Sequence, residues 1–288
     1  MSRKKITEAL SSGKILVSDG AWGTLMQKHG LRPGDSPEIW SVDKADLIYT
    51  IAKDYADAGS DIVETNSFGG NPIKLQHYGL DERTEELNQK AAELSRDAAG
   101  DDKWVMASMG PTGKMLFMGE VTEEDLYEAF KRQALALEKG GADAVIVETF
   151  SATDEASIAI RAVRENTSLE VIGSFTFEPT VSGEFRTMMG VTPTQAIEAA
   201  LEAGANIAGI NCGNGYEGLE KVVKEYKSVS SKTPVLLQPN AGIPKTVDGE
   251  DVFQATPEDM AEQVKLWIDS GANIIGGCCG TTPEHIRA

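Results

Sequence analysis

The sequence predicts an α/β fold, a single (β/α)8 TIM barrel, on three observations. Eight short apolar runs alternate with eight helical patterns. A glycine-centred stop signal recurs where helices give way to strands, and the longest irregular stretches all follow strands. An open doubly wound sheet would use the same units, but their number and even spacing favour closure.

Taken in order, Ile15–Ser18 is the first strand and Asp43–Ala58 its helix. Ile62–Thr65 is followed by Arg83–Ala99, Trp104–Ser108 by Glu123–Gly140, and Ala144–Glu148 by Asp154–Glu165. Val171–Phe175 precedes Thr194–Ala203, Ile207–Asn211 precedes Glu217–Ser228, and Pro234–Gln238 precedes Pro257–Ser270. Asn273–Gly276 is the last strand. A final helix opens at Thr282-Pro283-Glu284, with proline in the first turn, where its missing N–H costs nothing. The stop signals are Ala58-Gly59-Ser60-Asp61, Gly140-Gly141-Ala142-Asp143, Ala203-Gly204-Ala205-Asn206 and Ser270-Gly271-Ala272-Asn273. Glycine at a helix C-terminus ahead of a buried strand is what an αβ connection needs. The long irregular stretches are Gly30–Trp40, Phe68–Glu82, Thr112–Val121, Phe177–Val191 and Asn240–Ala255. No linker divides the chain, so residues 1–288 read as one barrel, either the first module of something longer or trimmed within its last helix.

Composition narrows the function. A net charge of −18 argues against a nucleic-acid or anionic-membrane surface. No run approaches the roughly 20 apolar residues of a membrane span, and the first residues lack the apolar core of a signal peptide. Three cysteines in 288 residues are no disulfide framework, and the odd number points to a reducing cytoplasm.

Those cysteines are the most informative residues in the chain. Cys212 ends the run AGINCGNG, and Cys278 and Cys279 are adjacent in NIIGGCCGTT. Neighbouring cysteines fit disulfide geometry poorly. The flanking Gly276, Gly277 and Gly280 let the backbone turn so that both side chains converge. Catalytic residues in a barrel sit at the C-terminal strand ends, and all three cysteines are there. Strands six and eight flank strand seven, so three sulfurs can meet, and three thiolates with one open position is the arrangement of a catalytic zinc site. A buried cysteine serving as a small hydrophobe is the alternative. The other strand ends carry Asp19-Gly20, Glu64-Thr65-Asn66, Gly110-Pro111-Thr112, Glu148-Thr149, Thr176, Asn211 and Pro239-Asn240. Asp19 and Glu148 can act as general acid–base groups, clamp an ammonium, or simply accept backbone N–H groups. None of the three histidines, His29, His77 and His285, lies on a strand end. Histidine ligation and histidine acid–base chemistry are thereby disfavoured, and each reads as a surface residue. GGNP at Gly69–Pro72 lacks the Lys-Ser/Thr of a phosphate cradle. The Met188-Met189 pair either fills a core gap or lines a pocket.

The segments DGAWGTLMQ (19–27), DIVETNSFGGN (61–71), GPTGK (110–114), ADAVIVETF (142–150), GINCGNG (209–215), PNAGIP (239–244) and GGCCGTTPEH (276–285) resemble the homocysteine S-methyltransferase family. Within it they are most similar to the homocysteine-binding module of cobalamin-dependent methionine synthases. The resemblance implies zinc held by Cys212, Cys278 and Cys279, and an amino-acid pocket involving Asp19 and Glu148. Groups near Gly20, Asn66 and Ser108 are implied as further substrate contacts. Asn240 resembles a residue that offers oxygen to the metal when no thiol is bound. The implied reaction is methyl transfer to the thiol of homocysteine, the donor being methylcobalamin carried by a corrinoid protein or module. A thiol other than homocysteine, a demethylation pathway, or a non-catalytic module that docks on a corrinoid protein are the alternatives.

Overall fold

Eight parallel strands surround the barrel axis in chain order: β1 (Leu16–Val17), β2 (Ile62–Glu64), β3 (Trp104–Met109), β4 (Ala144–Phe150), β5 (Glu170–Phe175), β6 (Ile207–Cys212), β7 (Val235–Pro239) and β8 (Ile274–Ile275). The computed structural model describes residues 4–247 and 250–288. β8 pairs with β1 through Leu16↔Ile274, and β1 meets β2 through the parallel bridge Ser18↔Ile62, which closes the ring. The outer layer is α1 (Ala45–Ala58), α2 (Thr84–Ala99), α3 (Glu123–Lys139), α4 (Thr153–Asn166), α5 (Pro193–Glu202), α6 (Leu219–Val229), α7 (Pro257–Ser270) and α8 (Pro283–Arg287). The expected (β/α)8 barrel is the fold observed. On α1 the buried face is Ile48, Ile51, Ala52 and Tyr55, the spacing of one helical stripe. Thr122, Thr192 and Thr256 open α3, α5 and α7 with capping boxes that satisfy the first free N–H groups.

The stop signals prove to be more than helix ends. Gly59, Gly141, Gly204 and Gly271 all hold positive φ, between 95° and 116°, which a Cβ disfavours. Two residues on from each comes Asp61, Asp143, Asn206 or Asn273, at the start of an even-numbered strand. Each side chain reaches back to the preceding strand and accepts its backbone N–H: Val17 at 3.0 Å, Val105 at 2.8 Å, Val171 at 2.9 Å and Val235 at 3.0 Å. The same four residues donate their own N–H to the carbonyls of those valines at 2.7 to 2.8 Å. One short motif, used four times, thus fixes the register of neighbouring strands.

Alternate residues of each strand face the barrel interior. Leu16, Ile62, Met106, Ile146, Ile172, Ile207, Leu236 and Ile274 build an apolar lower layer. Following the same faces upward gives Glu64, Ser108, Glu148, Ser174, Asn211 and Gln238, all buried. The interior therefore changes from hydrocarbon to hydrogen-bonding groups towards the C-terminal end. The lower layer is closed by a one-and-a-half-turn helix before β1, Ile6–Leu10, whose Ile6, Ala9 and Leu10 join it. That plug is too short for sequence periodicity to register. The Glu170 carboxylate, at the bottom of β5, caps the plug by accepting the N–H of Ile6 and of Thr7, the latter at 3.2 Å. Glu170→Ala is expected to lower stability by about 2 kcal/mol in urea denaturation.

Two stretches expected to be irregular form small antiparallel hairpins: Glu178–Pro179 with Phe185–Arg186, and Lys245–Val247 with Glu250–Val252. Asp248 and Gly249, within the expected Asn240–Ala255 stretch, lie outside the described residues. Met188 and Met189 are neither core nor pocket. They occupy a tight turn in which Thr187 and Val191 bond across it, and they are 87% and 43% exposed.

Candidate metal centre and active-site pocket

β6 and β8 deliver the three cysteines to one point. Their sulfurs lie within 4.8 Å of one another, and a tetrahedral ion with bonds of about 2.3 Å keeps its sulfur ligands roughly 3.8 Å apart. Among the described residues this is the one group of three or more His, Cys, Asp or Glu side chains gathered so closely. Cys212 ends β6 with φ of 62°, left-handed for a residue with a Cβ, and Gly213 continues the turn at 84°. The Cys278-Cys279 turn is pinned from both sides. The Cys278 N–H donates to the Pro239 carbonyl at 2.8 Å, the Ala241 N–H to the Cys279 carbonyl at 3.0 Å, and the Gly277 N–H to the Asp19 carbonyl at 2.9 Å. At Gly276 a Cβ would stand 2.0 Å from Ser18 Oγ and 2.7 Å from the Asp19 carbonyl, so only glycine lets β8 approach β1 there.

The thiols ionise unequally. S–H donation from Cys278, and then from Cys279, draws Cys212 well below the ordinary thiol range. Cys278 and Cys279 are pushed up because each keeps its proton against the Cys212 thiolate. The cluster therefore holds one negative charge readily and presents three soft donors, which fits zinc. Asn240 adds a second sign of fit. Its Nδ2 donates to the Gly213 carbonyl, while its buried Oδ1 has no partner.

The same sulfurs line a cavity of about 330 Å³ that opens at the C-terminal end of the barrel. Its walls also carry Trp22, Met26, Phe68, Glu64, Ser108, Glu148 and Gln238. Glu148 accepts from Ser108 Oγ on one oxygen and from Asn211 Nδ2, at 3.1 Å, on the other. Burial pushes its carboxyl up to about 7, against the lowering effect of Ser108. Asp19 is likewise pushed up to about 7 by burial, although the Glu64 N–H and the Trp22 indole both donate to its Oδ2, at 2.8 and 3.0 Å. Glu64 is raised by burial, then by the neighbouring charges of Glu148 and Asp19.

The family model described as homocysteine S-methyltransferase matches residues 16–288. The chain belongs to the homocysteine S-methyltransferase family. It is similar to methionine synthase of Mycobacterium tuberculosis, 31% identical over 294 residues, with 96% of this chain and 24% of that protein aligned. The chain thus spans about a quarter of that relative's length. Among solved structures, the metallated form of the homocysteine methyltransferase MmuM from Escherichia coli superposes with a TM-score of 0.78 at 24% identity, over 97% of this chain and 96% of that one. The carboxyl transferase domain of Rhizobium etli pyruvate carboxylase with pyruvate also superposes, with a TM-score of 0.55 at 14% identity, over 96% of this chain and 44% of that chain. These two likenesses show the fold, and the barrel is one that hosts unrelated chemistries.

In this member of the homocysteine S-methyltransferase family, the residues singled out from the sequence take three positions. Gly20, Asn66, Ser108, Glu148, Cys212, Cys278 and Cys279 line the cavity. Asn66 is also structural, since its Nδ2 donates to the Pro37 carbonyl at 2.8 Å and to Ser41 Oγ at 3.2 Å. Asp19, with no exposure at all, lies behind the wall and supports Trp22 and Glu64. Asn240 stands beside Cys212 outside the cavity lining. His29 and His77 are exposed as expected. His285 is not a simple surface residue: its ring bonds Thr282 Oγ1 and the Ala255 carbonyl, each at 3.0 Å, and docks α8.

Sequence reasoning underrated Asn211. Its side chain donates to Glu148 and, at 2.7 Å, to Thr149 Oγ1, and accepts from the Thr149 N–H at 3.0 Å and Ser174 Oγ at 2.7 Å. Thr149 itself has φ of 63°. Asn211 therefore holds a strained turn at the tip of β4 and, as the residue before Cys212, ties the carboxylate to the sulfur cluster.

No described helix is long and apolar enough to cross a membrane.

Proposed function

We propose that this barrel is the acceptor module of a zinc-dependent methyltransferase that methylates the thiol of homocysteine to give methionine. The observation that carries the reading is one cavity lined by two chemically distinct sets of groups, three cysteine sulfurs and buried carboxylates. A homocysteine molecule has the matching pair of groups, a thiol and an ammonium. Family membership supports the same acceptor.

Cys212, Cys278 and Cys279 would hold the ion, with the unpartnered Asn240 Oδ1 on a side chain beside Cys212. Zinc held there would supply Lewis acidity that lowers the pKa of the substrate thiol and makes its sulfur available as a nucleophile at neutral pH, where a free thiol of pKa about 8.5 is mostly protonated. Glu148, oriented by Ser108 and Asn211, attracts the substrate ammonium and turns the sulfur toward the cysteines. Gly20 and the Thr65–Phe68 turn face the cavity, and the substrate carboxylate is assigned to them. Trp22, Met26 and Phe68 exclude water around the attacking sulfur. Methyl transfer to an ionised sulfur needs no further acid or base at that atom, consistent with exposed His29 and His77 and a docked His285.

The donor is assigned to a methyl-corrinoid protein or module presented at the cavity mouth. A macrocycle of that size cannot enter about 330 Å³, so it must react from outside. The chain would then be one module of a larger methyl-transferring system. Metal analysis with calorimetry tests the acceptor half. One equivalent of zinc is expected, with homocysteine binding that releases a proton and disappears on chelation. Zinc without homocysteine binding would refute the acceptor, and metal-free protein purified under reducing conditions would refute the centre.

A further inference from the structure

We propose that Glu64, aimed by Gln238, is the second carboxylate of the ammonium site, and that Asp19 serves behind it as a positioning residue. This assignment rests on the reading of the cavity as an amino-acid thiol site.

Besides Glu148, three acids line or underlie the cavity, and their exposure and hydrogen bonds separate their roles. Glu38, on the wall, has both oxygens engaged by the Gly69 N–H and Ser36 Oγ, each at 2.8 Å. Asp19 is off the wall and fully buried, with Oδ2 taken twice and Oδ1 without a partner. Glu64 differs from both. It lines the cavity at 7% exposure, Gln238 Nε2 donates to its Oε1 at 2.7 Å, and its Oε2 has no partner among the described residues. Gln238 is itself 2% exposed, lines the cavity, and leaves its Oε1 buried without a donor.

A buried acceptor without a donor is costly, and two neighbouring buried carboxylates repel. Among the described residues no lysine, arginine or histidine lines the cavity to pair with them. A cation with several donors would relieve both. A primary ammonium has three N–H groups, and Glu64 Oε2, Gln238 Oε1 and Glu148 supply three acceptors around the one cavity. Asp19 fits the supporting role: it takes the Glu64 backbone N–H and so fixes where β2 ends.

The test compares L-homocysteine with 4-mercaptobutanoate, the same thiol acid without its amino group, on zinc-loaded protein by calorimetry. Wild type is expected to prefer homocysteine. Glu64→Gln is expected to cut that preference roughly 10- to 100-fold, the value of a hydrogen bond to a charged group. Binding of 4-mercaptobutanoate should stay the same or tighten. Gln238→Leu should cut the preference in the same direction by less, and it decides the matter should E64Q not fold. Equal losses for both thiols would mean a structural role only and overturn the assignment. A wild type that prefers homocysteine with an E64Q variant that still does would overturn Glu64 and leave the acceptor reading standing. A wild type without the preference would sink both.

Discussion

Cys278→Ala is expected to leave a folded barrel that has lost its metal. Apparent binding free energies of closed zinc sites are about 10–16 kcal/mol. Loss of one thiolate among three should therefore weaken zinc by roughly 10²- to 10³-fold. Cys279→Ala and Cys212→Ala should match it, because the three sulfurs sit in one cluster. The fold should survive, since the cysteines lie at the strand ends and outside the apolar core. Cys212→Gly separates the two effects further. It relieves the left-handed backbone at φ 62°, worth about 1 kcal/mol, so the metal-free variant should melt slightly above metal-free wild type. Metal content after dialysis against a competing chelator, with circular-dichroism melts, checks both. Full zinc occupancy in any single variant would remove that cysteine from the ligand set.

The buried acids predict an inverted pH profile. Asp19, ordinarily near 3.8, is raised to about 7 in the folded chain. Between those values the folded state keeps a proton that the unfolded state has released, so stability falls as pH rises. The loss begins near pH 4 and is complete above pH 7. A shift of about three units corresponds to a loss on the order of 4 kcal/mol. Asp19→Asn carries no such proton, so the wild-type stability should drop relative to the variant across that window and level off above it. Urea denaturation of both proteins from pH 4 to pH 8 gives the difference directly. A flat difference would show that Asp19 is ionised throughout.

The barrel was legible because its signals are local. Helix spacing, proline in the first turn of the last helix and repeated glycine stops each act within a few residues, and the eight units appear in order. The meeting of Cys212 with Cys278 and Cys279 was legible too, since closure forces β6 and β8 to flank β7. Which strand-end acid faces the cavity was not. β2 reads Ile62-Val63-Glu64, apolar on both faces up to its last residue, so its sequence shows no alternation from which to read the inward phase. Only its pairing puts Ile62 in the floor and hence Glu64 on the wall. Asp19 is conspicuous in DGAWG, but one residue beyond the bridge at Ser18 the chain turns it beneath Trp22. Asn211 stood among the strand-end residues without a role, because its four hydrogen bonds go to Glu148, Thr149 and Ser174 of β4 and β5, far away in the chain.

Asn211 also makes the site a ruler. Its side chain fixes Glu148, and its peptide bond leads straight into Cys212, so the distance from carboxylate to sulfur cluster is set by one residue rather than by two loops that can drift apart. On the proposed reading, an acceptor must span that fixed length with its own carbon chain. Cysteine, one methylene shorter than homocysteine, reaches the ion or the carboxylate but not both, and a single methylene is commonly worth roughly 10- to 200-fold in discrimination. Selection of the longer thiol then needs no residue that repels the shorter one. It follows from a span that does not contract.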